Sequence, residues 1–177
     1  MINKLSMIIA LDEEGGFSKD CQIPWKNEPI FKKDQKRFKE LTKNNAVLMG
    51  RRTYEEIHQM KIGRGVREDG PLLRERTSFV LSRNTEFKPL GAIKADSFLG
   101  LLRLKEIENT EVVQSLFVIG GLKLCIETLP RVTDVYCTIV KGYYNCEKKF
   151  PIQEFKKFQI AEGNQTDNAY FIHYVRK

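Results

Sequence analysis

Residues Leu5 to Leu11, LSMIIAL, form an almost unbroken apolar run that fits one strand and is far too short to span a bilayer. A strand without polar alternation is buried on both faces. The arrangement that buries both faces is a mainly parallel sheet with helices on either side. This run therefore commits the chain to an α/β architecture, provided that further apolar runs alternate with helical patterns.

They do. Ala46 to Met49 is a second short apolar run, Thr77 to Leu81 a third, and Leu116 to Ile119 another. Lys94 to Asp96 follows a short strand, and Val132 to Val140 reads as a further one. Between them, Ile30 to Thr42 reads as a helix, because Phe31, Asp34, Phe38 and Leu41 recur at helical spacing. Its basic residues Lys32, Lys33, Lys36, Arg37 and Lys39 fall mostly elsewhere around the wheel and read as a solvated face. Thr53 to Met60 and Ser97 to Leu104 are shorter helices, and one of about eight residues follows Gly120-Gly121 and stops near Pro130. Asp12 to Gln22 and the glycine-rich, charged Lys61 to Arg74 read as loops. Phe158 to Ala161 and Ala169 to Val175 read as an antiparallel pair around the turn residues Glu162 to Asn168. The whole is an α/β domain with a mainly parallel sheet.

Composition narrows the classes. With 177 residues, 41% hydrophobic and 30% charged, the chain suits one folded domain and not a disordered segment. No secretory pattern or long apolar segment is seen, so a cytoplasmic location is expected. Thirty Lys and Arg against 23 Asp and Glu give +7, which favours an anionic partner: nucleic acid, an acidic membrane surface or a phosphorylated small molecule. Cys21, Cys125, Cys137 and Cys146 form no C-x-x-C pair, and the only histidines are His58 and His173, so no metal is expected and the thiols read as reduced. The histidines are far apart with no visible partner, and Cys137, alternating with Val135 and Ile139, reads as core.

In open sheets of this kind, ligands bind at the carboxyl ends of the strands. The chemistry is therefore sought at Ala10, Gly50, Ser82 and Gly120. Asp34 shares a helix face with Phe31, Phe38 and Leu41. If it points inward, lost hydration raises its pKa and suits it to proton transfer. The helix alone fits as well, and more commonly, a surface carboxylate paired with a nearby lysine. Gly50-Arg51-Arg52-Thr53 joins a buried strand to a helix, where backbone N–H groups and arginines can bind an anion or simply cap the helix. Ile119-Gly120-Gly121 permits close backbone approach but is not the dinucleotide G-x-G-x-x-G. Ser82-Arg83 adds a hydroxyl and a guanidinium on the same sheet edge. Together these ends describe a phosphate-rich ligand lying across several loops. No P-loop, nucleophile elbow or zinc motif is present, and aromatic and basic residues do not interleave as a single-strand nucleic-acid platform requires.

Taken in order, these signals resemble the dihydrofolate reductase family. The matching residues are Ile8-Ile9-Ala10, Gly16-Phe17-Ser18-Lys19-Asp20 leading to Ile23-Pro24-Trp25, Asp34, Phe38 to Thr42, Val47 to Tyr54, Arg76 to Arg83, Val118 to Gly121, Tyr136-Cys137-Thr138 and Phe150-Pro151. The resemblance spans nearly the whole chain. It implies one domain over residues 1–177, with a mostly parallel mixed sheet of about eight strands, a C-terminal antiparallel hairpin and about four flanking helices. The implied reaction is NADPH-dependent reduction of 7,8-dihydrofolate to tetrahydrofolate.

The resemblance also assigns roles. Asp34 would hold the pterin and support its protonation, Thr138 would orient that carboxylate, and Trp25 would order water beside it. Ile8, Ala10, Phe38 and Ile57 would line the folate and nicotinamide pocket, with the Ala10 carbonyl meeting the carboxamide. Arg76 would take the folate glutamate carboxylate. Phe17, Gly50, Arg51, Arg52, Thr53, Ser82 and Arg83 would serve the cofactor, with Ile119, Gly120 and Gly121 on its pyrophosphate and nicotinamide side. Two arginines at the adenosine end suit a 2′-phosphate, hence NADPH. Glu13 to Ile23 would be a mobile lid. The expected partners are dihydrofolate and folate analogues, with neither nucleic acid nor membrane, and a monomer is expected. Gln35 stands where the family usually has an apolar residue, and Ser18 where it usually has glycine. Two other readings compete: a riboflavin-pathway pyrimidine reductase, and a non-catalytic basic binding or assembly protein on the same fold. The Pro24-Trp25 pair, helix-borne Asp34 and Arg76 argue against the first, and the intact acid and lid against the second.

Overall fold

The computed structural model describes residues 4–103 and 115–177. Ten strands and four α-helices follow one another in these segments. In chain order they are β1 (Lys4–Asp12), β2 (Gly16–Ser18), α1 (Pro29–Thr42), β3 (Ala46–Gly50), α2 (Arg51–Gly63), β4 (Thr77–Leu81) and β5 (Ile93–Ala95). Then come α3 (Phe98–Arg103), β6 (Ser115–Gly120), α4 (Leu122–Thr128), β7 (Asp134–Val140), β8 (Lys148–Lys149), β9 (Phe158–Gln165) and β10 (Ala169–Arg176). Short 3₁₀ turns occupy Leu129–Arg131 and Ile152–Lys157.

Eight strands make one sheet in the order β5-β4-β3-β6-β1-β7-β10-β9. The first six pair in parallel, and β10 runs antiparallel to both β7 and β9. This is the expected α/β fold, with its parallel body and C-terminal antiparallel hairpin. The continuous apolar runs sit where both faces are covered. Met7, Leu11, Val47, Leu48, Val80 and Val118 are fully buried.

Alternation along the strands divides the side chains between two layers. Met7, Ile9, Leu11, Val135 and Cys137 join Leu101, Leu124 and Cys125 in one large cluster under α3 and α4. The opposite face is not continuous. One cluster gathers Val47, Met49, Val80 and Phe117 under Tyr54 and Ile57 of α2. A separate one gathers Trp25, Ile30, Val140 and Ala169, with Ala10, Phe31 and Phe171 against it. Ile8 is buried and Phe38 half-buried, yet both join none of the three clusters. The side chains between the two smaller clusters are the ones that position a site.

Several expectations need correction. Asp12 to Gln22 is not wholly loop, because Gly16–Ser18 pairs with Lys148–Lys149 in a two-stranded ribbon. Lys61 is not the start of a loop but the buried last turn of α2. Its ammonium donates to the carbonyls of Glu68 at 3.1 Å and Gly70 at 2.7 Å, so it ties the following loop back to the helix. The short strand expected before Lys94 to Asp96 is β5, Ile93–Ala95, and so includes Lys94 and Ala95, while β9 continues to Gln165, beyond the expected Ala161. Of the helix expected over Ser97 to Leu104, Leu104 lies outside the described residues. His173 has a partner after all: its Nε2 lies 2.7 Å from Asp134 Oδ1. The four cysteines are free thiols, and burial pushes those of Cys125 and Cys137 up to about 12.

Candidate active site

Helix α1 starts with Pro29 at its first turn and lays one stripe over β1 and β7. In register across the sheet, Ala10 of β1 lies beside Thr138 of β7, which lies beside Phe171 of β10. Asp34 descends from α1 onto this row. The fully buried Thr138 hydroxyl donates to Asp34 Oδ1 at 2.6 Å. Asp34 is therefore the inward acid, not a surface carboxylate paired with a lysine. Burial drives its pKa above the usual carboxylate range. The Thr138 hydrogen bond and the Arg37 charge oppose that rise without cancelling it. A carboxyl poised upward in this way can carry a proton closer to neutral pH.

Trp25 is 1% exposed and meets the Tyr144 ring edge-on at 5.3 Å. Its indole N–H has no hydrogen-bond partner among the described residues, which leaves a buried donor available to a ligand. Tyr144 donates its hydroxyl to Glu28 at 2.8 Å and so locks the entrance to α1. Ile8 and Ala10 share the strand face that carries Thr138 across the register, and Ile57 packs from α2. Arg76 sits over the Phe38 ring at 5.8 Å. It donates to Thr42 Oγ1 and the Lys39 carbonyl, each at 2.6 Å, and to the Arg74 carbonyl. Three donors are thus spent on fixing the guanidinium, and two of its five remain for a ligand carboxylate. A shallow hollow between Lys19, Ile23, Pro24 and Tyr144 lies apart from this row and does not include Asp34.

The strand ends on the α2 side make a second region. Gly120 has φ +139°, a conformation that side-chain-bearing residues rarely adopt. A Cβ on Gly120 would stand 3.3 Å from Thr53 Oγ1, one on Gly121 3.4 Å from the same oxygen, and one on Gly50 3.8 Å from the Gly121 nitrogen. Gly50, Thr53 and Gly120-Gly121 therefore face one another as a cradle of backbone and hydroxyl groups. Helix α2 begins on Gly50 with no side-chain cap and no acidic residue in its first turn. Arg51 and Arg52 are exposed there, a placement the helix dipole disfavours unless an anion is near. Arg51 lies 3.7 Å from Glu55, an exposed pair of little worth. Ser82 is buried, and its Oγ accepts the Asn84 backbone N–H at 3.3 Å, while Arg83 is exposed. Ile119 is half-buried against the α2 cluster, and Phe17 packs against the large cluster on the other face.

The sequence reading missed Arg37. It was placed with the solvated lysines, yet it is half-buried beside Asp34, between the rings of Tyr136 and Phe171. The available signal was its spacing, three residues after the acid on the same helix face.

The family model described as "Dihydrofolate reductase" matches residues 4–176. The chain belongs to the dihydrofolate reductase family. Curated relatives agree with that assignment. The dihydrofolate reductase of Staphylococcus aureus (strain MSSA476) is 27% identical over 180 residues, covering 98% of each chain. That of Staphylococcus haemolyticus is 26% identical, covering 97% of this chain and 92% of its own. Among solved structures, dihydrofolate reductase from Enterococcus faecalis complexed with NADP(H) and RAB-propyl superposes with a TM-score of 0.73. It is 25% identical and covers 99% of this chain and 98% of that one. As a member of this family the chain is an NADPH-dependent oxidoreductase that reduces dihydrofolate. No helix among the described residues is long and apolar enough to cross a membrane.

Proposed function

We propose that this chain reduces 7,8-dihydrofolate with Asp34 as the acid of the site, and that residues 1–177 act as one domain, monomeric and cytoplasmic. The observation that carries the reading is the Asp34–Thr138 contact: a carboxyl with a raised pKa, fixed by a buried hydroxyl, on helix α1. When bound, NADPH supplies the hydride.

The protein's part is positioning and proton supply. Asp34 would hold the amino and ring N–H groups of the pterin and support protonation of its imine nitrogen. Thr138 keeps one carboxylate oxygen occupied, which would leave the other for the ligand. The free indole N–H of Trp25 would order a water there. Ile8, Ala10, Phe38 and Ile57 would supply apolar walls that exclude further water. Arg76 would take the glutamate carboxylate with its two remaining donors. The glycine cradle fits a pyrophosphate, because its bare backbone leaves space that a side chain on Gly120, pressed to 3.3 Å from Thr53 Oγ1, would take up. Arg51, Arg52, Ser82 and Arg83 would receive the nucleotide end, whose extra phosphate also answers the +7 charge better than nucleic acid does.

The test is the absorbance decay at 340 nm with NADPH and dihydrofolate. Wild type should turn over. Asp34→Asn keeps the shape and an acceptor for Thr138 but loses the acid, and its hydride step should fall about 100-fold or more at pH 7. A wild-type rate in that variant would remove Asp34 from the chemistry. A response only to a ribosylated pyrimidine would favour the riboflavin-pathway reading, and retention of RNA without turnover the binding-protein reading.

A further inference from the structure

Arg37 is a cation placed where the reaction, as assigned above, does not need one. It projects from α1 one turn after Asp34 and lies between the rings of Tyr136, 5.9 Å from its centroid, and Phe171, at 5.3 Å. Its Nη1 donates to the Cys137 carbonyl at 3.3 Å and to Thr138 Oγ1 at 3.4 Å. Its Nη2 donates to the Ile172 carbonyl at 3.4 Å. The two carbonyls alone would anchor α1 to β7 and β10. The contact with Thr138 goes beyond anchoring, because that hydroxyl also donates to Asp34.

A hydroxyl carries one proton and two lone pairs. With Arg37 donating to a lone pair, the Thr138 proton is directed away from the guanidinium and onto Asp34. The contact distances place the guanidinium nitrogen no more than about 6 Å from Asp34 Oδ1, near enough for its charge to matter directly. Among the described residues no other carboxylate shares the guanidinium. On its own helix the guanidinium faces Asp34. From β7 it faces Tyr136 and the Cys137 thiol, which burial keeps protonated. From β10, His173 stacks on Tyr136 at 4.3 Å but is turned to Asp134.

We propose that Arg37 is a positioning residue that acts through Thr138: its guanidinium fixes the hydroxyl so that the proton is given to Asp34, and its charge sets how readily that carboxyl takes up the proton the pterin needs. This rests on the assignment of Asp34 as the acid. Removing the charge should leave only the Thr138 hydrogen bond to oppose burial and move the Asp34 midpoint upward. The Lys variant keeps the charge on a flexible stem and loses the forked contact.

The experiment is a ¹³C NMR titration of the Asp34 carboxyl in the ligand-free protein, for wild type, Arg37→Met, Arg37→Gln and Arg37→Lys. The pH profile of hydride transfer is measured alongside. Met and Gln should raise the midpoint by roughly half a pH unit to one unit, in both readouts, whereas Lys should stay within about 0.3 unit of wild type. An unmoved midpoint in a folded Met or Gln variant overturns the proposal. So does a Lys variant displaced as far as Met, which would make Arg37 a packing element only. Should neither neutral variant fold, the Lys variant decides, and a displacement above about half a unit refutes the role of charge. The titration is independent of turnover. Failure of wild type to reduce dihydrofolate would thus defeat the assigned activity and leave the Arg37–Asp34 coupling measured in its own right.

Discussion

Thr138→Val isolates the contact on which the site turns. Valine keeps the shape of threonine and suits a β-strand, so the substitution removes a hydroxyl from a fully buried position with little change of volume. The lost bond is a 2.6 Å O–H donation to a carboxylate. Hydrogen bonds to charged groups contribute about 1.5–3 kcal/mol, and neutral ones about 0.5–1.5. The added methyl returns about 0.8 kcal/mol by burial. At pH 7 the ligand-free protein should therefore lose about 1–2 kcal/mol. At this chain length that lowers Tm by about 2–4 °C per kcal/mol. In an Asp34→Asn background the bond lost to residue 34 is a neutral one, which the methyl largely offsets, while the Arg37 contact is lost in both backgrounds and cancels from the cycle. Urea denaturation of the four proteins gives the coupling directly, expected at about 1 kcal/mol. A coupling under about 0.3 kcal/mol would mean that the hydroxyl and the carboxyl do not meet in solution, and the argument for Asp34 would lose its geometry.

Two further outcomes test the scaffold. Lys61→Met keeps the buried stem but abandons the carbonyls of Glu68 and Gly70. It should cost about 2 kcal/mol in urea denaturation and open residues 64–70 to limited proteolysis. Asp134 is pushed up by burial, but Lys4 at 2.8 Å, His173 at 2.7 Å and Thr133 at 2.8 Å outweigh that and hold it below the usual carboxylate range. The stability it contributes is present above its unfolded pKa of about 4 and is lost as pH falls through the folded value. The advantage of wild type over Asp134→Asn should shrink as pH falls below about 4. An advantage unchanged at pH 3 would refute the network.

Much of the architecture was legible because its signal is burial. LSMIIAL, AVLMG, TSFVL and SLFVIG are almost wholly apolar, which suits a strand covered on both sides. The ribbon of Gly16–Ser18 against Lys148–Lys149 carried no such signal, since its residues are few, small or charged. Lys61 was hidden for the opposite reason: a lysine at a helix end reads as solvated, and only the fold of the next nine residues supplies the carbonyls that bury it. In the site, Asp34 was visible by its helix face but ambiguous until Thr138 arrived from a strand 104 positions away. Arg37 was masked by the lysines around it, because one-dimensional spacing does not show which cation has rings on either side.

The end of β1 has one more consequence. Asp12 is 3% exposed, and its carboxylate accepts the backbone N–H groups of Glu14 at 2.9 Å and Gly16 at 2.6 Å from one segment. It also accepts the N–H of Tyr144 at 3.3 Å and the Cys146 thiol at 3.6 Å from another. Any Cβ on Gly16 would fall 2.3 Å from the same carboxylate, so no larger residue leaves this knot intact. Two stretches of chain more than a hundred residues apart are thus clasped by a single side chain rooted in the sheet. Neither can swing outward alone without stripping a buried side chain of its donors, so movement of one stretch is tied to the other at the foot of β1.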